Sequence, residues 1–196
     1  MFKDNRYDDI NVFDDKLCEF YLNIEDYEHA RKVAAEILKK EPSNQRALWA
    51  KGYINEMVEK LPEALSYYEE LDRYDPRDPY VLKRKAVVEM KLGMGKKALA
   101  DINNAIDTEA DDTDAYLIRG MLYFYLFDRK IDAIRDYNRA VHLDPKNAEA
   151  LYQRGFAYLK YGNMDYAKDD LKRAAELGSV DAEDLVEKNR LILSTA

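Results

Sequence analysis

Ala64-Leu65-Ser66-Tyr67-Tyr68 is the stretch from which the fold can be read, because the chain carries its pattern five times. The matching stretches are Ala30-Arg31-Lys32-Val33-Ala34, Ala98-Leu99-Ala100-Asp101-Ile102, Ala133-Ile134-Arg135-Asp136-Tyr137 and Ala167-Lys168-Asp169-Asp170-Leu171. Their first alanines stand at 30, 64, 98, 133 and 167, so the steps are 34, 34, 35 and 34. A fixed period of this length marks an array of repeats, in which each repeat is one supersecondary unit.

Extending outward from these alanines gives five units, 11–44, 45–78, 79–112, 113–147 and 148–181, the fourth with one inserted residue between Gly120 and Ala133. The eighth position of each is small: Cys18, Gly52, Ala86, Gly120 and Gly155. The twenty-seventh reads Ile37, Leu71, Ala105, Ala140 and Ala174. Positions 4, 8 and 11 share one helix face, and positions 20, 24 and 27 share a face of a second helix. Small residues at 8 and 20 let the two helices approach closely.

The punctuation agrees. Each unit ends on Asn44, Asp78, Asp112, Asn147 or Asp181, side chains that cap the next helix. Pro42, Pro76 and Pro145 stand two residues earlier and end the helix before. Gly93 and Gly162 fall between the two helices of their units, where a left-handed residue is useful. Each unit is therefore a helix, a short turn, an antiparallel helix and a short link. One such pair cannot bury its own apolar face, so the pairs must stack. The expected fold is all-α: a right-handed α-solenoid of five helix-turn-helix repeats, one domain over 11–196. Residues 1–10 read as a polar lead-in and 182–196 as a capping helix with Glu183, Glu187 and Arg190 outward. The insertion should lengthen the turn near Phe127 to Lys130 or bulge the helix.

Composition sets the outer limits. Seven Gly and five Pro are few for a sheet-rich fold of 196 residues. The net charge of −8 argues against a nucleic-acid backbone as the main partner. One cysteine, Cys18, excludes an internal disulfide and a cysteine-based zinc site. Met1 to Ile10 lacks the apolar core of a signal peptide. The longest apolar run, Met121 to Phe127, is far short of a membrane span. A cytoplasmic, reducing setting follows as the expectation.

These residues resemble the tetratricopeptide repeat family, whose 34-residue unit favours a bulky apolar residue at 4, Gly or Ala at 8, Tyr at 11, Ala at 20, an aromatic at 24, Ala at 27 and Pro at 32. The fourth unit matches with Tyr116, Gly120, Tyr123, Ala133, Tyr137, Ala140 and Pro145, and the fifth with Leu151, Gly155, Tyr158, Ala167, Leu171 and Ala174. The departures are Asp14 at position 4 of the first unit, and Asn55 and Glu89 at position 11 of the second and third.

The resemblance implies a concave surface lined by the first helix of each unit, where positions 2, 5, 9 and 12 face a peptide or helix of another protein. Those positions hold Val12, Asp15, Glu19 and Leu22, then Arg46, Trp49, Tyr53 and Glu56, then Tyr80, Lys83, Val87 and Met90. The last two units offer Asp114, Leu117, Met121 and Phe124, then Glu149, Tyr152, Phe156 and Leu159. The stripe is acidic at its N-terminal end and apolar to aromatic in units four and five. The candidate binding residues are Trp49, Tyr53, Lys83, Val87, Leu117, Met121, Phe124, Tyr152, Phe156 and Leu159. Against this stands packing between adjacent first helices, which suits Leu117 and Met121 better and Trp49 and Tyr53 equally well.

One subclass of the family binds a chaperone's C-terminal carboxylate with cations at positions 5 and 9. Here those positions hold Asp15 and Glu19, Trp49 and Tyr53, and only Lys83 matches, so that ligand is not expected. His29 and His142 read as solvated, Cys18 as a buried inert thiol, and Glu109 to Asp114 as a solvated link rather than a calcium loop. Gly93-Met94-Gly95-Lys96-Lys97 lacks the spacing and hydroxyl of a phosphate loop. No catalytic residues, cofactor or metal are expected. The reading is a protein-binding scaffold, with self-association as the alternative and a regulatory or co-chaperone-like module without a carboxylate clamp as a more remote one.

Overall fold

The computed structural model describes the backbone of residues 6–188 and the side chains of residues 14–188. Among these residues there are eleven α-helices and no strand. The fold is the expected all-α helical repeat of the solenoid class. The chain divides into two compact units, Met1–Leu92 and Gly93–Ala196. The boundary falls in the turn of the third helix pair, inside the 11–196 span that the repeats mark as one domain.

The N-terminal unit contains α1 (Arg6–Asn23), α2 (Tyr27–Lys40), α3 (Gln45–Met57), α4 (Leu61–Tyr74) and α5 (Pro79–Lys91). Each helix packs on the next, and α1 also reaches α3. The C-terminal unit contains α6 (Gly95–Thr108), α7 (Thr113–Met121), a π turn (Leu122–Leu126), α8 (Lys130–Leu143), α9 (Ala148–Lys160), α10 (Met164–Glu176) and α11 (Val180–Lys188). Here too consecutive helices pack in order.

The ends form as the sequence dictates. Asn44 Oδ1 accepts from Ala47 N at 3.0 Å, Asp112 Oδ1 from Ala115 N at 3.0 Å, and Asn147 Oδ1 from Ala150 N at 2.9 Å. Asp78 Oδ1 accepts from Tyr80 N at 2.8 Å. Each satisfies an amide that the helix cannot. The fifth cap differs from expectation. Asp181 lies inside α11, and Ser179 Oγ accepts from Ala182 N at 3.3 Å instead. Gly178, at φ 90°, turns the chain early, so the last helix starts two residues sooner. At the other end α1 begins at Arg6, within the segment read as a lead-in to Ile10. Met1 to Asn5 and Arg190 lie outside the described residues, while Glu183 and Glu187 are exposed as expected.

The turn inside every hairpin has one left-handed residue at the same repeat position. It is Gly93 (φ 73°) and Gly162 (φ 77°), but also Glu25 (φ 58°), Glu59 (φ 57°) and Asp128 (φ 49°). Three of the described non-glycine residues therefore accept a conformation that favours glycine.

Helix approach is set by position 8 against position 24. A Cβ on Gly52 would stand 2.8 Å from the Tyr68 ring, on Gly120 2.6 Å from the Tyr137 ring, and on Gly155 2.9 Å from Leu171. Tyr68, Tyr137 and Leu171 are fully buried. In the first hairpin the sizes reverse, and the larger Cys18 packs in a cluster with the smaller Ala34. Where position 24 is large, position 8 has no room for a side chain.

The inserted residue is absorbed by the π turn, one of the two outcomes the sequence allowed. Phe127 N bonds Leu122 O at 3.3 Å, a five-residue step. One extra residue per turn is what a π bulge accommodates.

Charged residues inside the C-terminal unit form a repeated staple. Arg119 gives a bidentate pair to Asp136, Nε to Oδ2 at 2.7 Å and Nη2 to Oδ1 at 2.8 Å, while Nη1 reaches Asn103 Oδ1 at 2.9 Å. Arg154 repeats this one hairpin later on Asp170 at 2.7 and 2.7 Å and on Asn138 at 3.0 Å. Each arginine thus ties its own hairpin to the preceding helix. Asp136 and Asp170 are buried.

Candidate functional site

In the N-terminal unit α1, α3 and the start of α5, with Ile37 of α2 and Leu71 of α4, line an open hollow of about 890 Å³. Its floor is built by sequence position. Trp49 and Tyr53 stand four residues apart on α3, so their rings lie on one face. The rings stack with centroids 5.1 Å apart and planes at 10°. Tyr80, at the start of α5, continues the ladder at 5.9 Å from Trp49. Tyr27 meets Tyr53 edge-on at 6.4 Å, and the Arg84 guanidinium lies 5.4 Å from the Tyr53 centroid.

The rim is mixed and mostly acidic. From α1 come Asp15, Lys16 and Glu19; from the α4–α5 link come Asp75 and Asp78; from α3 comes Arg46. Asp15 Oδ2 takes a bond from Arg46 Nη1 at 3.1 Å, with the arginine side chain 78% exposed and the carboxylate 12% exposed. Among the described residues, the buried Asp15 Oδ1 and Trp49 Nε1 have no hydrogen-bond partner.

Lys83 and Val87 are half-buried on α5 and lie outside the residues that line the hollow. Tyr80, Asp75 and Asp78 take their place. Glu56, read as a groove residue, is buried instead. It accepts from the Tyr68 hydroxyl at 3.0 Å and pairs with Arg84 at 2.6 Å. These two partners are the reason: a hydroxyl from its own hairpin and a cation from the next draw the carboxylate inward. Asp14, at a nominally apolar position, bridges to Lys40 at 2.8 Å.

The C-terminal unit treats the same positions differently. Leu117 is buried with Tyr137, Val141 and Leu151 and so leaves the accessible surface. Met121, Phe124, Tyr152 and Leu159 are partly buried against that core. Tyr152 and Phe156 stack at 6.1 Å, and Phe124 meets Phe156 edge-on at 5.9 Å. The π turn also sends the Tyr125 hydroxyl to Gln153 Oε1 at 2.9 Å, which locks it to α9. The rings here pack mainly on one another.

Cys18 is buried, and burial with the nearby Asp15 carboxylate pushes its thiol up to about 11, so it stays protonated. His29 is exposed and bonds the capping Asp26 at 2.8 Å, which holds that carboxyl below its usual range. His142 is exposed. Among the described residues no group of three or more His, Cys, Asp or Glu is placed to hold a metal. No described helix is long and apolar enough to cross a membrane.

Comparison with known proteins bears on both units. A family model described as tetratricopeptide repeat matches residues 21–79, and one described as TPR repeat matches residues 132–162. The Hsp70-Hsp90 organizing protein of Triticum aestivum is 28% identical over 134 residues, which is 66% of this chain and 23% of that protein. The chain therefore spans about a quarter of that relative's length. A thermophilic TPR protein of Thermus thermophilus superposes with a TM-score of 0.79 at 18% identity, covering 92% of this chain and 99% of that one. YrrB, whose structure is described as a TPR protein with an unusual peptide-binding site, gives 0.64 at 21% identity, covering 87% and 88%.

Proposed function

The chain belongs to the tetratricopeptide repeat family, and we propose from that premise that it is a non-catalytic protein-interaction module. It takes a peptide or helical segment of another protein against the first-helix face of its N-terminal unit. The observation that carries this is the hollow beside the Tyr53–Trp49–Tyr80 ladder. Three aromatic rings at one wall provide the large, rigid contact area that dominates binding energy at interfaces. Further support comes from the relatives, since proteins named as chaperone organisers share its sequence pattern and YrrB carries a peptide site on the same fold. A cytoplasmic setting fits its single buried thiol, and the net charge of −8 disfavours nucleic acid.

The test is selective replacement. Trp49 and Tyr53 are changed to Ser in one variant, Tyr152 and Phe156 in another. Each full chain is immobilised, and the proteins it retains from lysate are identified. The first variant should lose its specific partner while keeping its helical circular dichroism. Full retention by a folded Trp49/Tyr53 variant rejects the reading.

A further inference from the structure

Resting on the interaction reading above, we infer that the hollow of the N-terminal unit is a receptor for a cationic side chain, an arginine or lysine presented by the partner segment. Asp15 carries the proposal. Its side chain, on α1, is 12% exposed; one oxygen is engaged by Arg46 of α3, and the other is buried without a partner among the described residues. A buried carboxylate oxygen left unmade is costly, and a charged donor satisfies it best. Trp49 lines the same hollow, with one face of its ring stacked on Tyr53, and indole is the strongest of the aromatic acceptors for a cation. The long aliphatic stem of an arginine or lysine suits the apolar wall, while its head reaches the acid.

The surroundings have the matching sign. Glu19, Asp75 and Asp78 ring the same hollow, against Lys16 and Arg46. Asp75 and Asp78 each accept backbone amides, so they are fixed in place. Arg46 now occupies part of the role. Its side chain is 78% exposed, so an incoming guanidinium competes with a cation that holds the mostly buried Asp15 by one bond from the solvent side. The internal arginine is then a competitor, and its removal strengthens binding. That sign separates a cation receptor from a general apolar groove.

The chain's only tryptophan, Trp49, reports directly on the site. The full chain is titrated with acetyl-Ala-Leu-Arg-Leu-Ala-amide and with the same peptide carrying citrulline, the neutral isostere, while Trp49 emission and its indole N–H signal are followed. The arginine peptide should bind about tenfold tighter than the citrulline peptide, and the preference should shrink as salt rises. Asp15→Asn should remove it, and Arg46→Ala should tighten the arginine peptide about threefold. Circular dichroism confirms that both variants fold. Equal affinity of the two peptides, or binding of neither, overturns the cation receptor. Weaker binding in Arg46→Ala does so as well. The broader interaction reading falls separately, only when a folded Trp49/Tyr53 variant keeps its lysate partner.

Discussion

The two units are built from the same repeat, yet they treat the first-helix face in opposite ways. In the C-terminal unit, positions 5 and 9 are Leu117 and Met121 on α7 and Tyr152 and Phe156 on α9; Leu117 is buried in the core cluster, Met121 and Tyr152 pack against it, and Phe156 stacks on Tyr152. In the N-terminal unit the same positions hold Asp15 and Glu19 on α1 and Trp49 and Tyr53 on α3, and all four line a hollow. The N-terminal unit has its own internal ion pair, Glu56 with Arg84, but the pair at the hollow is of another kind. Arg119 and Arg154 are bidentate staples on buried aspartates, whereas Arg46 holds Asp15 by one bond from the solvent. A repeat fold therefore keeps its stability at positions 8, 20, 24 and 27 and varies its outer face independently.

Cutting a charged pair in each unit puts this contrast to its hardest test. Asp136→Ala leaves Arg119 without its buried partner and should cost about 3–5 kcal/mol in urea unfolding. Asp15→Ala should cost under about 1 kcal/mol, because Arg46 is exposed. Equal costs would erase the distinction between staple and rim.

The position 8 to position 24 contact is next. Gly120→Ala should destabilise by about 1–3 kcal/mol, since the new methyl meets the Tyr137 ring. Adding Tyr137→Leu should return part of that loss. A double variant no better than the sum of its parts would show that the Tyr137 ring is not what leaves Gly120 without room.

The two buried tyrosines should then part company. Tyr68→Phe removes a hydroxyl bonded to Glu56 and should cost about 1–2 kcal/mol. The Tyr137 hydroxyl is buried without a partner among the described residues, and burial pushes its ionisation far up. Tyr137→Phe should therefore be neutral or stabilising by up to about 1 kcal/mol. Thermal melts of the two variants decide it.

The mildest changes sit at the hairpin turns. Glu59→Gly relieves a non-glycine residue at φ 57° and should stabilise by about 0.5–1 kcal/mol. Gly162→Ala, at φ 77°, should destabilise by about 1 kcal/mol. The paired shifts in urea midpoint should have opposite signs.

Most of the fold was legible because its determinants are local. Asn44, Asp78, Asp112 and Asn147 cap helices from within three residues, and Gly93 and Gly162 turn the chain where their spacing puts them. Asp181 misled because Ser179, with Gly178 before it, captured the cap first. The candidate site was only half legible. Trp49 and Tyr53 follow from helix spacing, but Leu117 and Glu56 occupy equivalent stripe positions and are buried. Whether a stripe residue is buried depends on its neighbour one hairpin away, such as Arg84 for Glu56, and no short-range period reports that. The Arg119–Asp136–Asn103 staple was missed for the same reason, since its members are 16 and 17 residues apart on three helices.

Sequence alone was enough to establish a stack of helix pairs, because a period near 34 residues with small, capping and helix-ending positions leaves each pair an apolar face to cover. Which outer positions stay open was settled only when the helices packed in three dimensions. That choice rests on volume and charge complementarity between residues from different repeats: Leu117 is buried in one cluster with Leu151 of the next repeat and Glu56 pairs with Arg84 of the next, while Asp15 and Trp49 both line a hollow.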